Sequence, residues 1–389
     1  MTSYDDLTVL LADLVRIPSV NPRGRPVSDT EPAEGPLADF VAGWLQYRGV
    51  QVSCAEVLPG RNNVLGVVRG QRPELLVLEA HLDTVEIDGM TVEPFGAEIR
   101  GGRMYGRGTC DTKGSLAAYM LAIAELAAGD PPPVSVALAA TVDEEHHYRG
   151  VVGLLDELEG LGHRCVGAIV GEPTGLAMAT AHRGVVRFTV RVQGRAGHTS
   201  RPAEAVNAIA LAGRLVEQVE TVAPSTVMHP LLGRATRTVT RIAGGSGPNV
   251  VPGVCELDID RRTLPGEDPR QVWQDTLTEL SGLLPGRVSA PEPYTVDYAL
   301  DTAEGCVLVC VMRAALDARK LPVAALGMPF CTDASKFALR GIDAVVLGPG
   351  SIDDAHTADE SVDLAEVRTT AGLVADVARS AHWQSEDPA

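Results

Sequence analysis

Histidine and carboxylate side chains recur in this chain just past apolar runs. The run 75–78 reads as a buried strand and leads to His81 and Asp83. Two residues apart on extended backbone, those side chains point the same way. The apolar run 134–142 ends in Asp143, Glu144 and Glu145, and the run 166–170 ends in Gly171 and Glu172. Asp111 stands in a Gly-rich turn before a helix-like run, and His356 in a late acidic loop. Imidazole and carboxylate without thiolate suit zinc, cobalt or manganese. Five such groups can hold two ions with Asp111 shared, a pair roughly 3.5–4 Å apart that polarises a carbonyl. Asp83 suits a supporting role, orienting His81. One of Glu144 and Glu145 can then be a ligand, which leaves the other free to take a proton from water.

The elements that must position these groups follow from periodicity. Helices are predicted over 7–15, 35–47, 115–128 and 151–158, with strands over 50–57 and 63–69 besides the three apolar ones. In a mostly parallel α/β sheet, sites form at the carboxyl ends of strands. After Thr180 the texture changes. Residues 185–192 alternate, a helix is expected over 203–222, strands over 236–242 and 255–261, and a helix over 269–284. Strand, helix, strand, strand, helix is the order of a small α+β sandwich. This places an inserted domain at 179–291 between two parts of one catalytic domain, 1–178 and 292–389. A helix over 301–317, a strand over 344–347 and a closing helix over 364–379 complete it, with 384–389 as a frayed tail.

The 389 residues suffice for two domains and a large core. A net charge of -18 argues against nucleic acid or an anionic membrane as partner. No apolar run approaches the roughly 18 residues that span a bilayer. The N-terminus lacks a basic region followed by an apolar one, so no signal peptide is expected. Seven scattered cysteines without a Cys-x-x-Cys pair read as reduced thiols in the cytoplasm.

His81-x-Asp83, Gly106-x-Gly-x-x-Asp111-x-Lys-Gly114, Glu144-Glu145, Glu172-Pro-Thr and the late His356, in this order, resemble the M20 peptidases and amidohydrolases over almost the whole chain. The resemblance implies a zinc-peptidase-like α/β catalytic domain with a mixed, mostly parallel sheet, interrupted by an α+β lid (dimerisation) domain. It implies His81, Asp111 and Glu172 on one metal, Asp111, Glu145 and His356 on the other, and Glu144 as general base with Asp83 in support. The lid His198, in Gly197-His-Thr-Ser200, corresponds to a histidine that stabilises the oxyanion, often across a dimer. Asn249 and Arg262 match positions that bind the substrate carboxylate. Glu rather than Asp at 172 looks like the deacylases and carboxypeptidases. The stretches 348–360, 108–114 and Cys331-Thr-Asp-Ala334 look most like the acetylornithine deacetylase and succinyl-diaminopimelate desuccinylase branch. Tyr148 and Arg149 depart from the small or polar residues of relatives and bear on the acyl group. The expectation is a cytoplasmic homodimer that hydrolyses the amide bond of N-acyl amino acids with two divalent ions, zinc ahead of cobalt or manganese. The alternative is a carboxypeptidase or dipeptidase acting on a small peptide. A non-catalytic binding protein would lack a ligand or the base, and every position is filled.

Overall fold

The computed structural model describes residues 4–27 and 33–384. The leader reading of residues 1–3 and the tail beyond Gln384 lie outside the described residues. The chain divides into two compact units. One comprises the chain up to Thr180, Thr302–Leu326 and the part from Thr332 onward; the other comprises Ala181–Asp301 and Gly327–Cys331.

The first unit opens with α1 (Tyr4–Arg16), which buries Leu7, Leu10, Leu11, Leu14 and Val15 at helical spacing. Next comes α2 (Gly35–Tyr47), with Pro36 in its first turn and Gly49 in the left-handed region (φ 80°) just past its end. The strands β1 (Gln51–Leu58) and β2 (Arg61–Val68) form an antiparallel hairpin leading to β3 (Arg72–His81). Two short strands, β4 (Glu98–Arg100) and β5 (Arg103–Tyr105), precede α3 (Gly114–Ala127), β6 (Val134–Thr141), α4 (Arg149–Gly160) and β7 (Cys165–Val170). The unit resumes with α5 (Val307–Ala318), α6 (Ala334–Leu339), β8 (Ala344–Val346), β9 (Ser361–Asp363) and α7 (Leu364–Ala378). Six strands of the central sheet run β1-β2-β6-β3-β7-β8, the last four of them mutually parallel, and the sheet continues beyond β8 with antiparallel strands. Every residue of β6 is buried, which is why its sequence is an unbroken apolar run. Helix α3 is buried on nearly every side, lying on the sheet and against α7, and its small Ala and Gly residues allow that close approach.

In the second unit, Thr236–Gly244, Val254–Thr263 and Gly184–Gln193 form an antiparallel sheet in that order. Its inward face (Val186, Phe188, Val190, Val192, Leu257, Ile259) packs on Leu215 and Val219 of one helix and Trp273 and Leu280 of another.

Two helices are shorter than their patterns predict. The helix expected over 203–222 is Ala208–Thr221, because the Asn207 side chain accepts from the N–H groups of Ile209 and Ala210 and caps it there. Only a 3₁₀ turn, Pro202–Glu204, precedes it. The helix expected over 301–317 is Val307–Ala318, its first residues having gone into the short strand Leu300–Asp301 and a turn. The small sheet of β4, β5 and β9 and the helix α6 are too short for periodicity to announce.

Candidate metal centre

In the parallel register His81 lies level with Thr141 of β6, and Glu79 with Val170 of β7. The chain leaving these three strands therefore carries His81, Glu144 and Glu172 to one edge of the sheet. Asp111 arrives on the tight turn Thr109–Lys113, entered through Gly108 at φ 82°. The Glu360 carboxylate accepts the N–H groups of Cys110 (2.9 Å) and Asp111 (3.2 Å) and pairs with Arg107 at 2.5 Å. The Thr112 hydroxyl donates to the Gly171 carbonyl. Buried Lys113 donates to the carbonyls of Leu14 (3.0 Å) and Ile17 (2.8 Å) at the end of α1, and burial pushes its ammonium down to about 7. The turn carrying Asp111 is thus tied to β7, α1 and the stretch before β9.

Asp111 sits between two imidazoles. Its Oδ1 lies 2.9 Å from His81 Nε2 and its Oδ2 3.2 Å from His356 Nε2. Glu145 Oε1 is 3.0 Å from the same His356 nitrogen, and Glu172 Oε1 is 3.9 Å from that of His81. Burial alone would raise the Asp111 carboxyl, but hydrogen bonds from His356 and His81 hold it well below the usual carboxylate range. Burial first, then the neighbouring carboxylates, push Glu144 and Glu172 well above that range. Burial opposes a charge on His356, yet its bonds to Asp111 and Glu145 raise it to about 10.

Among the described residues, three groups bring their donor atoms within 4.8 Å of one another: His81, Asp111 and Glu172; Asp111, Glu145 and His356; and His81, Glu144 and Glu145. The first two share Asp111, one oxygen to each side. Four buried or nearly buried carboxylates crowd two imidazoles, and ionising all of them would gather negative charge in a poorly hydrated place. Oxygen and imidazole donors at this density fit a pair of divalent cations.

Asp83 touches His81 mainly through its main chain. Its carbonyl is 2.9 Å from His81 Nδ1, whereas the carboxylate is 3.8 Å away. That carboxylate instead accepts the N–H groups of Glu144 (3.1 Å) and Glu145 (3.0 Å), and Asn21 donates to it at 2.7 Å. Motif reading missed this set of supports. Asn21, Glu34, Arg61 and Asp143 are buried around the turn that bears the two glutamates, and each alone is an ordinary polar residue in the sequence.

The other three candidates lie in the second unit. Gly197–His198 pairs with Val250–Val251, and the Thr199 N–H donates to the Asn249 carbonyl at 3.1 Å, so His198 and Asn249 are neighbours. His198 Nδ1 accepts the Ser200 N–H at 3.1 Å. The Ser200 hydroxyl lies 2.7 Å from the same nitrogen, and an Nδ1 that accepts the amide leaves the proton of the neutral ring on Nε2. Arg262 lies on a different strand, with Nε on Asp260 Oδ1 at 2.8 Å. In the first unit, Lys336 Nζ sits 3.8 Å from the centre of the Tyr148 ring, and Arg149 Nε is 3.6 Å from Asp143 Oδ2.

The mostly parallel α/β unit, its acid-rich histidine cluster at the strand ends and the separate α+β unit agree with the family comparison. The sequence model of peptidase family M20/M25/M40 matches residues 77–380, and the chain belongs to that family of hydrolases. An acetylornithine deacetylase of Erwinia tasmaniensis is 30% identical over 97% of this chain and 98% of its own length. A tripeptidase from Staphylococcus aureus superposes with a TM-score of 0.80 at 19% identity, covering 98% of this chain and 99% of its own. A dinuclear metal-binding peptidase of the M20 family from Bacillus subtilis does so at 0.74 and 16% identity, covering 97% of each chain.

Proposed function

We propose that this protein is a metal-dependent amidohydrolase that removes the acyl group from an N-acyl amino acid. The observation that carries the reading is Asp111, which offers one carboxylate oxygen toward His81 and Glu172 and the other toward His356 and Glu145. In this reading His81, Asp111 and Glu172 hold one divalent ion, and Asp111, Glu145 and His356 hold the other, with zinc ahead of cobalt or manganese. Bound ions supply Lewis-acid polarisation of the amide carbonyl and acidify water. Glu144, fixed through its N–H to Asp83, takes a proton from the attacking water and passes it to the leaving amine. The Nε2–H of His198 is assigned to the developing oxyanion, and Asn249 and Arg262 to the substrate carboxylate. The second unit is proposed as the lid, and the working form as a cytoplasmic homodimer. The free state of all seven cysteines supports a reducing compartment, and sedimentation tests the dimer.

The full-length likeness to an acetylornithine deacetylase supports an acyl amino acid. A second reading, hydrolysis of a small peptide, is supported by the fold's likeness to a tripeptidase. Purified protein with added zinc or cobalt is offered N-acetylornithine, N-succinyl-diaminopimelate, N-acetyl-methionine and an unblocked dipeptide. Release from an acylated substrate is expected. Cleavage of the dipeptide alone would transfer the protein to the peptidases.

A further inference from the structure

Asp143, at the foot of the turn carrying Glu144 and Glu145, has φ 66°, in the left-handed region that non-glycine residues occupy at a cost. The turn persists because Asp143 is held through its N–H, its carbonyl and one carboxylate oxygen. Its N–H donates to Glu34 Oε1 at 3.1 Å, and its Oδ1 accepts from Arg61 at 3.0 Å and from Asn21 at 3.2 Å. Its carbonyl accepts the N–H of Tyr148 at 2.7 Å. Arg61 grips Glu34 with two parallel hydrogen bonds, at 2.6 and 2.5 Å, the strong form of this ion pair. The side chains of Arg61, Glu34 and Asp143 are 5%, 0% and 1% exposed. One buried guanidinium thus reconciles two carboxylates that would otherwise face each other, and none of these atoms belongs to the donor groups of the candidate metal centre.

We propose that Arg61, locked by Glu34, is a positioning residue for the Glu144–Glu145 turn, setting both the direction of the base and the reach of the Glu145 donor. This rests on the two-ion reading above. It implies that the ion pair acts chiefly on one side of the centre, because His81 comes from β3 and Glu172 from the end of β7, and the link from Asp143 to His81 is indirect, through Asn21 and Asp83.

Metal-free full-length wild type, Arg61→Met, Arg61→Lys and Glu34→Gln are titrated with cobalt(II), with circular dichroism to establish folding. In Arg61→Met, affinity at one of the two sites should fall about 10- to 100-fold, the scale seen when a residue that orients a ligand is lost. The other site should stay within about twofold. Arg61→Lys should recover part of the loss. On a hydrolysed substrate, kcat should fall by a similar factor with KM little changed. Wild-type affinity at both sites in folded Arg61→Met, or equal loss at both, overturns the proposal. If Arg61→Met does not fold, the isosteric Glu34→Gln is read in the same way; failure of all three variants to fold also overturns it, leaving a role in stability alone. A wild type that binds two cobalt ions but hydrolyses nothing in the panel overturns the proposed reaction, while the titration still decides this inference.

Discussion

Asp83 accepts the N–H groups of both adjacent glutamates, so it is their side chains that part them: Glu145 reaches His356, and the role of base is proposed for Glu144. Replacing Glu144 by Gln should cut turnover by about 10²–10⁴-fold, the usual worth of a general base, with cobalt affinity preserved. Retained activity would remove Glu144 from that role. Replacing Asp83 by Ala strands the buried N–H groups of Glu144 and Glu145, each costing about 1–3 kcal/mol. Urea unfolding should therefore report a loss of roughly 2–6 kcal/mol. Glu34 supplies a pH test. Burial first, then the charge of Asp83, raise its carboxyl from an ordinary 4.5 to about 7 despite Arg61. A carboxyl raised on folding contributes stability that is complete below about 4.5 and lost as pH climbs through about 7. The stability of wild type minus that of Glu34→Gln should accordingly fall between about pH 5 and pH 8, by up to about 3 kcal/mol. A flat difference across that range would contradict the assigned titration.

At the level of elements, the centre exists because β6, β3 and β7 are parallel, in register and adjacent. The sequence announces those strands through three apolar runs that end in acids or histidine. It does not announce the close packing behind them. A Cβ on Gly348, in the chain leaving β8, would meet Ser115 Oγ and, at 2.5 Å, the Glu172 carbonyl. Gly348→Ala should therefore push the backbone of Glu172 away, costing about 1–3 kcal/mol and weakening the site that Glu172 serves. Metal titration with a melt on the same sample checks both effects. Unchanged affinity would mean the strand ends yield without moving the ligand. Helix boundaries were misjudged where a cap outranked periodicity, as at Asn207, and where a two-residue strand claimed the start of a helical pattern, as at Leu300–Asp301.

For the whole molecule, the proposed divalent ions would be linked to folding, since the donors converge only in the native chain. Chelation should lower the melting temperature. Free metal at about 100 times its Kd should add about 3 kcal/mol per site, read by calorimetry. A melt indifferent to chelator would argue against a resident metal. The amino-acid sequence by itself determined the order of the longer strands and helices, the family, and the histidines and carboxylates that converge. The elements follow from periodicity, a local property of the chain, while the family and the converging residues follow from motifs whose order resembles the M20 peptidases. Only the tertiary structure decided that Asp83 serves the Glu144–Glu145 turn and that Arg61 joins Glu34 to Asp143 across 27 and 82 residues of chain. Long-range pairs of this kind leave no period or motif, because what brings them together is the burial of the elements that carry them.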